Sequence, residues 1–536
     1  MTAKEIAKRL EEKKAERLFI ETEWKEAFDN TFPLRGQRIG NNSLTGSEVH
    51  GAAHAQNARI YDSTLKVSAR QLAAALLSGL TPANSRWFGL EVGDLKDQDA
   101  TDWLDTAADA IWRNIHNCNY DSTALDCFVD YSCAGMFPMY IGEGNFAEGK
   151  LYNFQEWPLA SCYPGDSTGK GIIDTVYRLD SMTAEQLVAE YGADNVSAEV
   201  SKAAEVKPDT KFEFVQAIFP RGKSKKITEL PIASIHMEVK TRKILRKSGY
   251  HEMPVVFPRW MPVPGSVYSE GPVADALPDH KTLNDVVRLV LANADMAIAG
   301  MWGAIDDGVL NPKVITIGAR KIIMMANKDS MFPLASSAKF NVAAIEIDRL
   351  QGAIKRVLMT DQLHPETGPA MTATEIQMRK ELLMMLLGPH YGRLQAEYLT
   401  PFVTRCFGIA YRAGALLPPP QALQGQLTRV TYKSPLARSQ QIEDVAAMDR
   451  MEASLGMLAK DGITAPLDNY DFDKAVGERG ERLGVPAGLI RDEKAVKKLR
   501  EDRAAAQKQE MDAQQQAEMQ KTLAPTMAKG MMNNAA

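Results

Sequence analysis

The residues whose types and spacing best match a catalytic motif surround Ser167. Gly165-Asp-Ser-Thr-Gly169 fits the Gly-x-Ser-x-Gly pattern, in which a serine hydroxyl acts as a nucleophile. That chemistry requires a strand before the serine and a helix after it. Residues 171–178 instead alternate between apolar and polar types, as strands do. The motif therefore favours a hairpin turn, with Asp166 and Gly169 supplying the turn chemistry.

Other patterns with catalytic or metal-binding potential are weaker. Asp306-Asp307 beside Gly308 could hold a metal ion in a nuclease, but the same residues suit a solvated turn. Gly169-Lys170 is not a phosphate-binding loop, because Gly171 stands where a serine or threonine would be needed. The sequence thus predicts no enzyme, no cofactor and no metal site. A hydrolase or nuclease using Ser167 or Asp306-Asp307 remains the alternative.

Composition restricts the class of protein further. With 536 residues, the chain should form roughly two to four domains. A hydrophobic content of 45% is that of a globular protein, and no apolar run is long enough to predict a membrane span. The charged N-terminal stretch does not read as a secretory signal. Five cysteines without Cys-x-x-Cys spacing predict reduced thiols and a cytosolic setting.

The charge balance bears on nucleic-acid binding. Lys and Arg number 63 against 68 Asp and Glu, so the formal net charge is −5. Tight DNA binding comes from neutralised phosphates and usually needs a basic excess. Any contact between this chain and DNA must therefore be local or weak.

The pattern of apolar residues predicts an α+β fold that is mainly helical. An α+β block of short alternating strands is expected between residues 137 and 260, rather than a repeat of strand, helix and strand. A loop is expected at 34–55, which is rich in Gly, Ser and Asn. Helices are predicted at residues 3–33, 56–80, 97–117, 122–136, 183–191, 438–459, 472–479 and 492–521.

The rest of the chain is arranged around residues 272–417. Two predicted helices, 276–300 and 345–363, flank a β-branched insert. Each carries one narrow apolar stripe, which suits either an ordinary helical hairpin or the packing of like neighbours in a ring. A short loop, 364–371, follows, and a capping box at Thr372 and Glu375 begins a long helix that Pro389 should kink.

Basic residues in this stretch have two interpretations. They are either ordinary solvated or ion-paired side chains, or sparse positive rings that face a DNA duplex. Arg349 and Arg356 are seven residues apart and so share one helix face. The candidates on helices are Arg349, Arg356, Arg379 and Lys380, and those in the insert are Lys313, Arg320, Lys321 and Lys328, with Lys339 near its end.

The order of several short segments resembles one family, the portal or head-to-tail connector proteins of short-tailed bacteriophages. The resemblance covers nearly the whole chain, and the segments are specific together rather than singly. They are Tyr61-Asp-Ser-Thr64, Gly79-Leu-Thr-Pro82, Pro254-Val-Val-Phe-Pro-Arg-Trp260, Gly271-Pro272, Thr372-Ala-Thr-Glu375, Ser434-Pro-Leu-Ala-Arg-Ser-Gln440, Asp471-Phe-Asp473 and Gly484-Val-Pro486.

The resemblance implies a multi-domain portal fold that assembles into a ring, normally of twelve copies, with a central channel. The implied parts are a wing at 1–272, stem helices at 273–300 and 345–363, a clip at 301–344, a tunnel loop at 364–371 (His364, Pro365, Glu366, Thr367, Gly368, Pro369, Ala370 and Met371), a kinked wing helix at 372–420, and a crown with a polar C-terminal helix at 421–536. That C-terminal helix is too short for the long barrel of some relatives.

The resemblance also implies partners and a location. Double-stranded DNA would pass through the ring during packaging and ejection. The terminase would dock transiently, and the tail adaptor and the major capsid protein would bind more permanently. The protein would lie at a capsid vertex of the virion after assembly in the bacterial cytoplasm. A virion scaffold or adaptor without a channel remains a further alternative. Twelve copies at −5 each would carry about −60, which lets DNA slide without sticking.

Overall fold

The architecture is taken from a computed structural model of the chain. The structure describes residues 1–40, 46–92, 98–222, 229–299, 301–304, 331–334, 340–361, 388, 390–423, 429–432, 435–460, 469–483, 496–505 and 507.

The chain divides into two compact units. The first comprises Met1–Leu90, Ala107–Pro418 and Thr428–Val430. The second comprises Glu91–Thr106, Pro419–Leu427 and Thr431–Ala536.

The N-terminal part of the chain is helical, and most of its helices match the prediction. The first six helices are α1 Ala3–Asp29, α2 Pro33–Gly36, α3 Gly46–Asn57, α4 Thr64–Leu80, α5 Gln98–Asn117 and α6 Tyr120–Ala134. The prediction of a loop at 34–55 is wrong in part, because α2 and α3 overlap this range. The run Gly51-Ala-Ala-His-Ala55 favours a helix, and α3 buries Val49 and Ala53.

Two antiparallel sheets follow these helices. The strand β1, Phe88–Glu91, lies between α4 and α5 in the chain and belongs to neither sheet. The strands of the two sheets are β2 Met139–Glu143, β3 Tyr152–Glu156, β4 Cys162–Gly165, β5 Thr175–Thr183, β6 Lys211–Pro220, β7 Ile232–Glu238, β8 Ile244–Tyr250 and β9 Val255–Val256. One sheet has the order β3-β2-β9 and the other the order β4-β5-β6-β7-β8. All pairings in both sheets are antiparallel, which confirms the predicted α+β block.

Both faces of the five-stranded sheet are covered by helices. The first face packs against α1, where Ile6 and Leu10 meet Tyr163, Val215 and Ile235. The second face packs against two short helices, α7 Ala184–Tyr191 and α8 Ala198–Val206. Strand residues alternate between these two apolar layers because successive side chains point to opposite faces. The prediction missed β4, β8 and α8, whose own sequences carry too little apolar periodicity.

The central helices of the chain start and end close to the predicted residues. Two short pairs, β10 Met261–Pro262 with β11 Ser269–Glu270 and β12 Met301–Ala304 with β13 Met331–Leu334, flank α9, Pro272–Ala299. The next helix, α10, spans Phe340–Val357, although 345–363 was expected. It ends early because Met359 has a φ of 57° and turns the chain out of the helix, with the Thr360 N–H bonded to the Lys355 carbonyl.

The long helix predicted to start at Thr372 is described from residue 390 onwards. Helical residues 390–394 run into a π-helical turn, Gln395–Leu399, and then into α11, Thr400–Arg412. The expected kink at Pro389 lies outside the described residues, whereas the widened turn was not predicted. Further along the chain, β14 Arg429–Tyr432 precedes α12 Pro435–Lys460 and α13 Phe472–Leu483, and helical residues 496–505 follow.

Within the described residues, no helix has the length and apolar character needed to cross a lipid bilayer. The five cysteines are free thiols, and four of them are buried. Burial raises the pKa of the Cys133 and Cys162 thiols to about 12.

Candidate functional site

Helices α9 and α10 pack against each other, and their contact faces follow the predicted apolar stripes. The buried apolar residues are Leu283 of α9, Leu350 and Ile354 of α10, and Leu358, which directly follows α10. These α10 positions recur every four residues and so form one row along the helix. The opposite face of α10 is left in solvent.

The two predicted channel arginines of α10 lie on that solvent face. Arg349 and Arg356 are both exposed. Arg349 binds Glu346 one turn away through Nε at 3.0 Å and Nη2 at 2.5 Å, and these hydrogen bonds lower the pKa of the Glu346 carboxyl. Arg356 donates from Nε to the Gly352 carbonyl of its own helix at 3.2 Å. One of the two arginines is thus ion-paired, and the other directs its charge outward.

A polar junction ties both helices to the start of α4. The Asn284 side chain on α9 accepts from the Tyr61 N–H at 2.6 Å and donates to the Arg59 carbonyl at 2.9 Å. Asp62 accepts from the Thr64 N–H through Oδ1, at the first residue of α4, and from Gln351 of α10 through Oδ2 at 2.8 Å. Tyr61-Asp-Ser-Thr64 therefore positions the helix pair against α4.

A second anchorage holds the helix that contains the π-helical turn. Residues 252–260, called here the clamp segment, run antiparallel along residues 390–412. Glu397 accepts three hydrogen bonds from Arg259, from the backbone N–H at 3.0 Å, Nε at 3.1 Å and Nη2 at 2.5 Å. Arg393 donates to the Trp260 carbonyl at 2.7 Å, and the His390 ring stacks on Trp260 with centroids 3.8 Å apart.

The other end of the clamp segment holds α11. Glu252 accepts from Arg405 at 2.8 Å and from Arg412 at 2.6 and 2.9 Å. These hydrogen bonds outweigh burial and lower the pKa of the Glu252 carboxyl. Between the two ends, the Tyr120 and Tyr398 hydroxyls are 2.9 Å apart and fully buried. The clamp segment, which contains Pro254-Val-Val-Phe-Pro-Arg-Trp260, thus has a structural role.

The serine of the Gly-x-Ser-x-Gly motif lies in the hairpin connection between β4 and β5, residues 166–174. Ser167 follows β4, which pairs with β5, and its hydroxyl donates to Asp174. The Asp166 carboxylate accepts from the backbone N–H groups of Thr168, Gly169 and Gly171, which lowers its pKa. The predicted hairpin turn is confirmed, and the helix that a nucleophile elbow requires is replaced by a strand.

Several predicted residues lie outside the described part of the chain. They are the whole candidate tunnel loop, His364–Met371, the channel candidates Arg379 and Lys380, the insert residues Lys313, Arg320, Lys321 and Lys328, and Asp306-Asp307. Among the residues that the structure does describe, no group of three His, Cys, Asp or Glu side chains is arranged to hold a metal ion.

The chain matches a known protein family over most of its length. Residues 3–490 match the family described as bacteriophage head to tail connecting protein. The chain belongs to this family. The matched range contains the residues of both anchorages.

Two relatives match this connector over almost its whole length. A portal protein of Salmonella phage epsilon15 is 27% identical and covers 97% of this chain and 95% of its own. A probable portal protein of Bordetella phage BPP-1 is 26% identical and covers 94% of this chain and 91% of its own.

Sequence reasoning missed the side chains that do the anchoring. Asn284, Gln351 and Glu397 each bind residues more than 130 positions away in the chain. A single sequence offers only weak signals for them, such as a polar residue at the edge of an apolar helical stripe.

Proposed function

We propose that this connector is the portal protein of a short-tailed bacteriophage, a ring at one capsid vertex through which double-stranded DNA is packaged and ejected. The observation that carries the proposal is the family match over residues 3–490, together with two portal relatives that align nearly end to end. In this function the protein is a structural connector and catalyses no reaction.

The parts of the ring follow from the chain order. Residues 1–272 and 372–420 make the wing, and 301–344 make the clip. The stem segments are 273–300, which α9 overlaps, and 345–363, which α10 overlaps after beginning five residues earlier, at Phe340. Residues 364–371 form the tunnel loop and 421–536 the crown. The antiparallel pairing of β12 with β13 brings residues 301–304 and 331–334 of the proposed clip together. A ring of twelve copies, contacts to the capsid, terminase and tail adaptor, and assembly in the bacterial cytoplasm are parts of the same proposal.

The outward face of α10 supports a weak contact with DNA. Arg356 is exposed, and its described hydrogen bond leaves the positive charge of the guanidinium unneutralised. One arginine per subunit, repeated around a ring, gives a sparse ring of charge on an otherwise acidic assembly. Sparse charge centres a duplex without holding it, because affinity grows with each neutralised phosphate.

Electron microscopy of negatively stained, purified protein tests the proposal. Top views should show rings with a central hole wide enough for duplex DNA. Particles without a hole contradict the portal function and favour a scaffold or adaptor. A second measurement is the amount of DNA packaged into proheads that contain the Arg356→Ala variant. Lys8→Ala, at an exposed position of α1, is the control.

A further inference from the structure

The π-helical turn at Gln395–Leu399 has a cause that can be read from the sequence. Pro401 has no backbone N–H, and its ring would clash with the carbonyl of Glu397 in a regular α-helix. The chain avoids this clash by widening the turn. The Thr400 N–H reaches back five residues to the Gln395 carbonyl, and the Thr400 hydroxyl donates to the same oxygen at 2.8 Å. The sequence Thr400-Pro401 therefore builds one extra residue into the helix.

The two sides of the widened turn are anchored to different ends of the clamp segment. Downstream, Arg405 and Arg412 bind Glu252. Upstream, His390 and Arg393 contact Trp260. The turn itself is held by Glu397, whose partner Arg259 is only about a tenth exposed.

An alternative register is available to the upstream side. If the extra residue were taken into α-helical geometry, Pro401 would relieve its clash by kinking the helix instead of widening the turn. Residues 390–394 would then advance by about 1.5 Å and rotate by about 100° around the helix axis. That motion moves Glu397 away from Arg259 and the His390 ring away from Trp260. The helix thus has two discrete packings, and a specific ion pair is made in only one of them. Such an arrangement has the form of a conformational switch.

We propose that residues 395–401 form a joint in which the Arg259–Glu397 ion pair holds the widened turn, and that release of this pair lets residues 390–394 rotate about the helix axis. The joint itself does not depend on the portal function. Its consequence does rest on that proposal, because this helix follows the proposed tunnel loop, 364–371, in the chain.

Hydrogen exchange of the full-length assembly, followed by mass spectrometry, tests the joint. Glu397→Gln removes the charge while keeping the side-chain size, and amides in peptides covering residues 390–401 should exchange about tenfold faster. Glu190→Gln on α7, which weakens an exposed ion pair with Arg246 of β8, is the matched control. Exchange at 390–401 that is the same in both variants overturns the proposal.

Two further variants cover the case in which Glu397→Gln does not fold. Arg259→Lys keeps the charge but loses the planar fork, and it should produce the same local increase in exchange. The double variant Glu397→Gln with Pro401→Ala restores the missing N–H, and an electron cryo-microscopy map should show a regular α-helix through 395–401. A map that retains the wide turn contradicts the joint.

The tests separate this inference from the proposed function. Wild-type rings with a central hole, combined with unchanged exchange in Glu397→Gln, reject the joint alone. Faster exchange in a protein that forms no ring rejects the portal function alone.

Discussion

Arg17 shows how one buried charge can fix the position of a whole helix. Its guanidinium is almost fully buried and lies 3.9 Å from the Tyr163 ring centre. It donates to the carbonyls of Ala160 and Cys162 at 2.8 and 3.0 Å, and to Glu21 of α1 at 2.6 Å. These bonds join α1 to the chain leading into β4, in addition to the apolar contacts that Ile6 and Leu10 make with the sheet.

Replacing Arg17 by Met should therefore destabilise the protein by about 3 kcal/mol or more, because the buried carbonyls and Glu21 lose their donor. Urea unfolding followed by tryptophan fluorescence measures the change. Lys8→Met, at an exposed position of the same helix, is the control and should shift the free energy of unfolding by less than about 0.5 kcal/mol. Equal shifts would show that the Arg17 contacts contribute nothing specific.

His236 should give the fold a defined dependence on pH. The ring lies between β7 and α7, with Nδ1 2.8 Å from the Tyr191 hydroxyl. Burial, with Arg246 and Arg178 nearby, lowers its pKa from 6.5 to about 3. Between these values the unfolded chain binds a proton that the folded chain does not bind. The free energy of unfolding should thus decrease as the pH is lowered below 6.5, by up to about 1.4 kcal/mol for each pH unit.

The test compares unfolding free energies at several pH values between 7 and 4. His236→Gln keeps a polar partner for Tyr191 and cannot take up the proton, so its pH profile should be shallower than that of the wild type. His54→Gln, at an exposed position, should leave the slope unchanged. A His236→Gln profile parallel to the wild type would rule out this source of pH dependence.

At the scale of elements, two glycines decide how closely α6 and α9 approach. Gly135 ends α6 with a φ of 73°, and a Cβ there would lie 2.1 Å from the Glu270 carbonyl oxygen. Gly271 immediately precedes α9, and a Cβ there would lie 2.6 Å from the Cys133 carbonyl oxygen. The Gly271-Pro272 motif thus allows two backbones to cross where no side chain fits.

Gly135→Ala should cost at least about 3 kcal/mol of unfolding free energy, because backbone rather than a flexible side chain blocks the new methyl group. Gly149→Ala is a matched control, with a φ of 72° but no atom within 4 Å of the added Cβ. It should cost only about 1 kcal/mol, which is the penalty of the left-handed conformation. Equal costs in chemical denaturation would mean that the close approach does not matter.

The sequence predicted those elements whose pattern is local. The helices α1, α4 and α9 carry strong apolar periodicity, and the alternation in β6 and β7 is equally clear. The edge strand β8 was missed because its pairing with β7, rather than its own composition, makes it a strand.

The candidate site was predictable only in part, for the same reason. Spacing correctly placed Arg349 and Arg356 on one exposed helix face. The partners of Asn284 and Glu397 are distant in the chain, and no local pattern specifies them. The widened turn at Thr400-Pro401 had a local signal, since a proline inside a helical pattern implies a lost hydrogen bond.

At the scale of the whole molecule, the proposed tunnel loop can be tested by deletion. Removing residues 364–371 should leave ring assembly intact, because the anchorages at Tyr61–Thr64 and 252–260 hold the helices on either side. DNA packaging or retention should fall, since the proposed tunnel loop would then be missing from the channel. Negative-stain images and nuclease-protected DNA in proheads give the two measurements. A variant that forms no rings would show that the loop is part of the assembly contact.

The antiparallel clamp segment also determines how the helix at 390–412 bears mechanical load. Glu252 and Arg259 hold it at points separated along its axis, and both belong to one short stretch of chain. A pull along the helix axis therefore stretches both ion pairs together, in shear, instead of opening them one after the other. Bonds loaded in parallel share the force, so we expect this helix to resist tension along its axis better than tension across it.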